Sequence, residues 1–163
     1  MFLIFEFKTN LVMKKLLLTF FICITPLLCF SQGMKIKWED SYGREFSINT
    51  HTREFQYSAI AGDKMSYNNR LDSGPEGSIK TIGNVKINYI EKYEGGSGAG
   101  KPVNSVSRVG GVVISYNNRQ DSGPEGYVKA VGGLKIYYIG KYEGGSGAGK
   151  PVGSIKGTFG SVN

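Results

Sequence analysis

Cysteine is almost absent from this sequence, and the little there is lies near the N-terminus. Cys23 and Cys29 are the only two, and both fall within an apolar segment that we interpret as a cleaved leader. Without that leader the chain can form no disulfide, no thiolate nucleophile and no cysteine-ligated zinc site. Histidine is equally scarce, since His51 stands alone and has no serine or aspartate motif around it. The sequence therefore gives no support to a Ser-His-Asp triad.

Long apolar runs are also missing, apart from one near the start of the chain. Two lysines precede the 15-residue run Leu16–Phe30, and a polar break follows it. This order is typical of a secretory signal peptide, whereas a membrane-spanning helix needs roughly 20 residues. We predict a signal peptide over residues 1–31, with residues 1–12 as a non-native extension upstream of Met13. No membrane span is expected once it is removed.

The remaining chain, residues 32–163, is rich in glycine and mildly basic. It contains all 24 glycines, and it has a net charge of +5 because the leader holds three of the 20 Lys and Arg and one of the 13 Asp and Glu. Its length suits a single domain with a small core. We predict an exported protein, periplasmic or extracellular, whose surface suits anionic polysaccharide or another envelope component.

An internal repeat dominates this domain. Residues 65–103 align with residues 114–152 at a shift of 49 without a gap, and 29 of the 39 positions are identical. The blocks SYNNR, DSGPEG and KYEGGSGAGKPV are the same in both copies, and four of the ten differences exchange one apolar residue for another. We therefore predict one β-repeat domain built around two copies.

Short alternating runs separated by glycine pairs predict hairpins throughout the domain. Gly-Asn or Gly-Gly stands between two β-rich runs in residues 77–90 and 126–139, and a weaker version occupies residues 105–116. Residues 57–67 form a further weak candidate. Because no useful segment has a 3.6-residue period, we expect an all-β antiparallel meander of about 11 short strands.

Register and closure of the sheet can also be predicted. A three-residue hairpin loop would set Ile79 opposite Ile87, with its second glycine or asparagine at positive φ, whereas a two-residue turn would bury Lys80. At the ends, residues 34–38 resemble the second strand of a hairpin and residues 153–157 resemble the first. These strands could pair and close the sheet into a barrel-like or propeller-like ring. The alternative is an open meander with lysine-rich edges.

The stretch GGSGAGK occurs in both copies and matches the spacing of a phosphate-binding loop. Such a loop follows a buried parallel strand and opens a helix whose N–H groups point at the phosphate. Here Lys101 and Lys150 are each followed by proline, and no helix-forming run comes after. We therefore expect no nucleotide binding and predict no cofactor.

SYNNRxDSGPEG is the better candidate for ligand contact, because it gathers amides and charges in a glycine- and proline-rich turn. Three interpretations follow: a structural hydrogen-bonded turn, a contact with sugar hydroxyls, and a calcium site. An arginine beside only two carboxylates weakens the last, so no metal site is predicted. The candidate residues are Asn68, Asn69, Arg70, Asp72 and Glu76 in the first copy and Asn117, Asn118, Arg119, Asp121 and Glu125 in the second.

Lysines form a second pattern on the predicted hairpins. Lys80, Lys86, Lys129 and Lys135 should share the solvated face of the sheet, although like charges on neighbouring strands repel. They either protect the sheet from association or form a basic face for anionic polysaccharide. Nucleic acid is not favoured, because the charge is modest and the chain is expected to be exported.

These features favour an exported, non-catalytic β-repeat module that binds or organises envelope or extracellular material, with glycan contact through the duplicated loops. The alternative is a small secreted hydrolase that acts on glycans with the loop carboxylates. An adaptor or inhibitor that presents its loops to another protein is a third candidate. The residues alone do not decide between these classes.

Overall fold

A computed structural model describes residues 33–91, 102–140 and 152–162. These ranges contain eleven β-strands and no helix, so the all-β prediction is confirmed, and none of them holds a helix fit to cross a membrane. The predicted signal peptide and both GGSGAGK segments lie outside the described residues. The strands are β1 Lys35–Glu39, β2 Glu45–Asn49, β3 Phe55–Ser58, β4 Met65–Tyr67, β5 Ile79–Ile82, β6 Val85–Tyr89, β7 Val106–Val109, β8 Val112–Tyr116, β9 Val128–Val131, β10 Leu134–Tyr138 and β11 Ile155–Phe159.

The strands form two antiparallel sheets. The first has the order β1-β2-β3, and the second is an eight-stranded meander that runs from β4 to β11 in chain order. The hairpins predicted over residues 77–90, 105–116 and 126–139 are β5–β6, β7–β8 and β9–β10. The weak hairpin predicted over residues 57–67 is wrong, because β3 pairs with β2 and β4 pairs with β5. In its place a loop connects the two sheets, and the carboxylate of Asp63 in that loop accepts a hydrogen bond from the backbone amide of Ile60.

Ring closure through the two ends of the domain does not occur among the described strands. β1 pairs with β2 and β11 pairs with β10, and each sheet stays open. A short turn links β1 to β2, so their hairpin forms at a much lower loop-closure entropy than a pairing across the whole domain would require. The open meander is therefore the correct alternative.

The hairpin turns have two residues, so the predicted three-residue loop is wrong. Ile82 pairs with Val85, which leaves Gly83 and Asn84 as the turn. Gly83 has φ 57° and Asn84 does not have a positive φ. The positive φ thus falls on the first turn residue, as in a type II′ turn, which requires glycine there.

In a regular strand pairing, a two-residue turn would bury Lys80, and a β-bulge prevents this. Ser66 pairs with Thr81 and Tyr67 pairs with Ile79, so Lys80 is the extra residue between them. The bulge lets Ile79 and Ile82, three positions apart, both face the core while Lys80 remains half-buried.

The same bulge occurs four times across the meander. Each lies at the second residue of the incoming strand, at alternating intervals of 27 and 22 residues that add up to the 49-residue period of the sequence. The structural unit is therefore about half of the sequence repeat. The bulged residues are Lys80, Ser107, Lys129 and Lys156.

A tyrosine at the end of each hairpin ties its two strands together. The hydroxyl of Tyr116 donates to the carbonyl of Val106 at 2.6 Å, and both residues are buried. Tyr89 and Tyr138 make the same contact with the residue ten positions earlier, at 2.8 and 2.6 Å. Tyr67 belongs to the edge strand β4, has no preceding partner strand in the described sheet and is 55% exposed.

Both sheets share one hydrophobic core. Ile36, Phe46 and Ile48 of the three-stranded sheet belong to the same cluster of buried residues as the inward positions of the meander. A backbone hydrogen bond also joins the sheets, since the amide of Val128 donates to the carbonyl of Thr50 at 2.9 Å. The small sheet therefore covers part of the larger one.

Arg44 is a second link between the sheets and is 5% exposed. Its guanidinium donates to both carboxylate oxygens of Asp63 at 2.8 and 2.9 Å, to Asp40 at 2.9 Å and to the side chain of Asn84 at 2.9 Å. These contacts raise the pKa of Arg44 and lower the pKa of Asp63. One side chain thus fixes the β1–β2 turn, the β3–β4 loop and the β5–β6 turn.

We predict that Asp63→Asn lowers the urea midpoint of unfolding at pH 7, because Arg44 then loses its bidentate partner while it stays buried. The pKa of Asp63 is lowered in the folded state, so the stabilisation is present above about pH 4 and is lost as the pH falls through the folded pKa. The gap between the two proteins should narrow as the pH is lowered below about 4. Glu125→Gln, which removes an exposed pair with Arg119, is the control and should leave the midpoint nearly unchanged. An equal effect of both substitutions would contradict the prediction.

We also predict that Tyr116→Phe destabilises the fold by about 1–3 kcal/mol, because it leaves the buried carbonyl of Val106 without its donor. Tyr67→Phe is the matched control, since the hydroxyl of Tyr67 has no hydrogen-bond partner among the described residues. Chemical denaturation measures both variants. Similar losses in the two would show that the interstrand hydrogen bond is not the cause.

Candidate functional site

The two repeated loops fold in the same way. We call residues 68–77 the first Asn loop and residues 117–126 the second Asn loop. In each, the first asparagine closes the loop by backbone hydrogen bonds of 2.8–2.9 Å to its last residue and to the residue beyond. In the first Asn loop the amide of Asn69 donates to the carboxylate of Asp72, and the amide of Leu71 donates to the side chain of Asn69, both at 2.8 Å. The second Asn loop makes the same two contacts.

The aspartate of each loop also binds a lysine of the next strand. Asp72 pairs with Lys80, and that contact lowers the pKa of the Asp72 carboxyl. For Asp121, burial acts to raise the pKa, but hydrogen bonds from Lys129 and from the amide of Asn118 outweigh it, and the pKa is lowered. Both carboxylates are therefore ionised at neutral pH. Half of the predicted basic face, namely Lys80 and Lys129, is already paired with an acid.

The remaining charged residues of the loops face solvent. Nε of Arg119 lies 3.3 Å from both carboxylate oxygens of Glu125, but the two side chains are 74% and 45% exposed. Arg70 and Glu76, their counterparts in the first Asn loop, are exposed and form no ion pair with a described residue. An exposed pair stabilises a fold by less than about 1 kcal/mol. These four side chains thus remain accessible.

The first asparagine of each loop points inward instead. Asn68 and Asn117 are 7% and 3% exposed, and each packs beneath a loop glycine. A Cβ atom on Gly123 would lie 2.4 Å from Nδ2 of Asn117 and 2.9 Å from Cδ2 of Tyr138. A Cβ atom on Gly74 would overlap Asn68 and Tyr89 in the same way. Only glycine fits this close approach, which gives a packing reason for the first glycine of DSGPEG.

One difference between the copies changes the environment of that asparagine. In the first copy Nδ2 of Asn68 donates to the hydroxyl of Ser78 at 2.9 Å. The second copy has Tyr127 at the position of Ser78, and the buried Nδ2 of Asn117 has no hydrogen-bond partner among the described residues. The ring of Tyr127 stacks instead on His51, with centroids 4.5 Å apart. The exchange thus docks the second copy onto the three-stranded sheet and leaves the Asn117 amide unpaired.

A cavity of about 390 Å³ lies beside the Asn117 amide. It joins the second Asn loop to the outer part of β9 and β10, so both of the patterns singled out in the sequence meet in it. We call it the repeat-2 cavity. The lining residues that matter for its chemistry are Asn117, Asp121, Lys129, Ala130, Lys135 and Tyr137.

Two further differences between the copies shape the walls of the repeat-2 cavity. In the first copy the hydroxyls of Ser66 and Thr81 bond to each other at 2.7 Å, whereas Ala130 stands at the position of Thr81 and leaves that space open. Tyr137 replaces Asn88 and adds a ring that is 50% exposed. An alignment of the two copies shows all of these differences, but only the structure shows that they lie around one cavity.

The polar groups of the repeat-2 cavity are mainly donors. Lys135 is exposed and forms no ion pair with any described residue, and the buried Nδ2 of Asn117 has no acceptor among the described residues. Lys129 and Asp121 neutralise each other. The arrangement suits a ligand rich in acceptor oxygens, such as a carboxylate or sulfate carried on a ring.

We predict that Gly123→Ala destabilises the protein by about 1–3 kcal/mol, because the added methyl overlaps Asn117 and Tyr138. Gly111→Ala is the control, since a Cβ atom there meets nothing within 4 Å and its φ is not positive. Thermal unfolding compares the two. A loss no larger than that of the control would mean that the loop rearranges easily around the asparagine.

Comparison of the chain with models of known protein families, with curated proteins and with solved structures finds no match. Within residues 33–91, 102–140 and 152–162, no three His, Cys, Asp or Glu side chains come together as a metal site would need. Function therefore has to be inferred from the geometry and chemistry of the sites themselves.

Proposed function

We propose that this protein is an exported, non-catalytic β-repeat module that binds an acidic glycan of the cell envelope or extracellular space in the repeat-2 cavity. The observation that carries the proposal is the repeat-2 cavity, where Lys135 and the exposed ring of Tyr137 lie near Asn117, whose buried amide has no partner among the described residues. A buried donor without an acceptor costs free energy, and a ligand oxygen would recover it. The exported location is proposed from the predicted leader.

Charge and shape support an acidic sugar over a neutral one. Lys135 supplies an unpaired positive charge at the cavity, and a hydrogen bond from a charged donor to a carboxylate is about twice as strong as a neutral one. The exposed ring of Tyr137 offers an apolar surface on which the C–H face of a pyranose can pack. The first copy has Lys86 at the position of Lys135 but Asn88 at that of Tyr137, so the two copies are expected to differ in affinity.

The state of the loop acids supports binding over hydrolysis. A glycosidase needs one carboxyl that stays protonated near neutral pH and another that is ionised. Asp72 and Asp121 both have lowered pKa values, because each is hydrogen-bonded to a lysine and to a backbone amide. Neither is suited to act as the general acid. The hydrolase stays the second candidate, with Asp121 and Glu125 as its acids, and it predicts release of reducing ends.

The binding test compares equivalent lysines in the two copies. Isothermal titration of a hexamer of galacturonic acid should show that Lys135→Ala weakens binding tenfold or more, since a hydrogen bond to a charged group contributes about 1.5–3 kcal/mol. Lys86→Ala removes the same charge from the first copy and should change Kd less than about twofold. Equal losses would mean that binding follows overall charge and not the repeat-2 cavity.

A second pair of variants exchanges a cavity wall between the copies. Ala130→Thr places the residue of the first copy in the repeat-2 cavity, where it can bond to Ser115, and should abolish binding without lowering the melting temperature. Thr81→Ala makes the reverse change in the first copy and should leave binding as it was. No binding by the unmodified protein would refute the proposal, and reducing ends released from the hexamer would favour the hydrolase.

A further inference from the structure

A second cavity of about 450 Å³ lies between the two sheets, beside Gly77 at the end of the first Asn loop. The turn before β3, the strands β3 and β4, and the start of β7 contribute to it, and we call it the inter-sheet cleft. Four of its lining residues are aromatic: Phe55, Tyr57, Tyr67 and Tyr89. Tyr57 and Tyr67 are 38% and 55% exposed, so their rings are open to a ligand.

Backbone strain concentrates in this cleft. Arg53 and Asn104 have φ angles of 63° and 67°, and they are the only non-glycine residues with positive φ in the described part of the chain. Both line the inter-sheet cleft, although they come from different sheets. Side chains held in this region cost free energy and cluster at functional sites.

The repeat shows that the strain at Asn104 can be avoided. The equivalent residue of the second copy is Gly153, which has φ 88° and makes the same backbone hydrogen bond to the end of the preceding hairpin. Gly77 and Gly126, which precede the other repeat hairpins, also have positive φ. Glycine thus occupies this place before three of the four hairpin-type strands, including Gly77 at the edge of the cleft, and asparagine occupies it only before β7, where its side chain lines the cleft.

Arg53 presents a guanidinium that is not used within the fold. The guanidinium forms no hydrogen bond or ion pair with a described residue, and its Nη1 lies 3.2 Å from where a Cβ atom on Gly126 would be, so the side chain reaches the second Asn loop. Glu54, the next residue, also lines the cleft and balances the charge of Arg53. The cleft therefore has no net charge from these neighbours, in contrast to the repeat-2 cavity.

We propose that the inter-sheet cleft binds a neutral saccharide, with a sugar ring against Tyr57 and Tyr67 and its hydroxyls hydrogen-bonded to Arg53, Glu54 and Asn104. Aromatic walls with a few converging polar groups are the usual composition of a small-molecule site. Hydroxyls can both donate and accept, which matches the guanidinium donor, the carboxylate acceptor and the amide that does both. This site shares no residue with the repeat-2 cavity and stands without the proposed function.

Two glycine substitutions test the proposal without endangering the fold. Arg53→Gly and Asn104→Gly remove the ligand groups and relieve the positive-φ strain, so each variant should unfold at the same urea concentration as the unmodified protein or at a higher one. Titration with cellohexaose, xylohexaose and maltohexaose should show binding of at least one of them. Each variant should weaken that binding about tenfold, and Tyr67→Ala should also weaken it.

The control separates this site from the acidic one. Lys135→Ala should leave the binding of the neutral hexasaccharide unchanged, and Arg53→Gly should leave the binding of the galacturonic acid hexamer unchanged. If none of the three neutral hexasaccharides binds the unmodified protein, the proposal is wrong. Binding that survives both glycine substitutions at full strength would also overturn it.

Discussion

The fold depends on one register: a β-bulge at the second residue of each incoming strand, set opposite the tyrosine that ends the preceding strand. The bulge turns two apolar residues three positions apart toward the same core and keeps the lysine or serine between them from being buried. Without it, a two-residue type II′ turn would put the wrong face of the strand inward. The buried tyrosine hydroxyls then bind the carbonyls that the irregular ladder would otherwise leave unpaired. The turn, the bulge and the tyrosine thus set the register of each hairpin of the meander together.

The small sheet makes two nearly identical copies differ in their chemistry. It reaches the second copy through His51 and Tyr127 and the first through Arg44 and its contacts near Asn84. The docking tyrosine stands where the first copy has a serine, so the second Asn loop loses an internal hydrogen bond while the domain gains an inter-sheet contact. The same docking forms the inter-sheet cleft, whose strained residues come one from each sheet. Both proposed sites therefore arise where the repeat symmetry is broken.

Much of the fold could be predicted from the sequence, because strand periodicity and glycine pairs act locally. The two strong hairpins, the weaker one over residues 105–116 and the number of strands are found as predicted. The register could not be predicted, since a bulge leaves no mark in the sequence, and without one a two-residue turn would bury Lys80. The hairpin predicted over residues 57–67 failed because Asp63 bonds to Arg44, a contact across 19 residues that no local pattern reports. The candidate residues of the two Asn loops stay a prediction from the sequence, and the inward direction of Asn68 and Asn117 and the backbone conformation of Arg53 and Asn104 depend on how the two sheets meet.

The two edges of the meander are not alike. Within the described sheet, β4 resembles the second strand of a hairpin and has no first strand beside it, and β11 resembles the first strand of a hairpin and has no second strand beside it. A stretch of 49 residues inserted between them would bring its own turns, bulges and tyrosines and would leave both edges as they are. Such a scaffold can grow or shrink by whole periods during evolution at little structural cost. An added period would not need to contact the three-stranded sheet, so the sequences of its loops would be free to diverge.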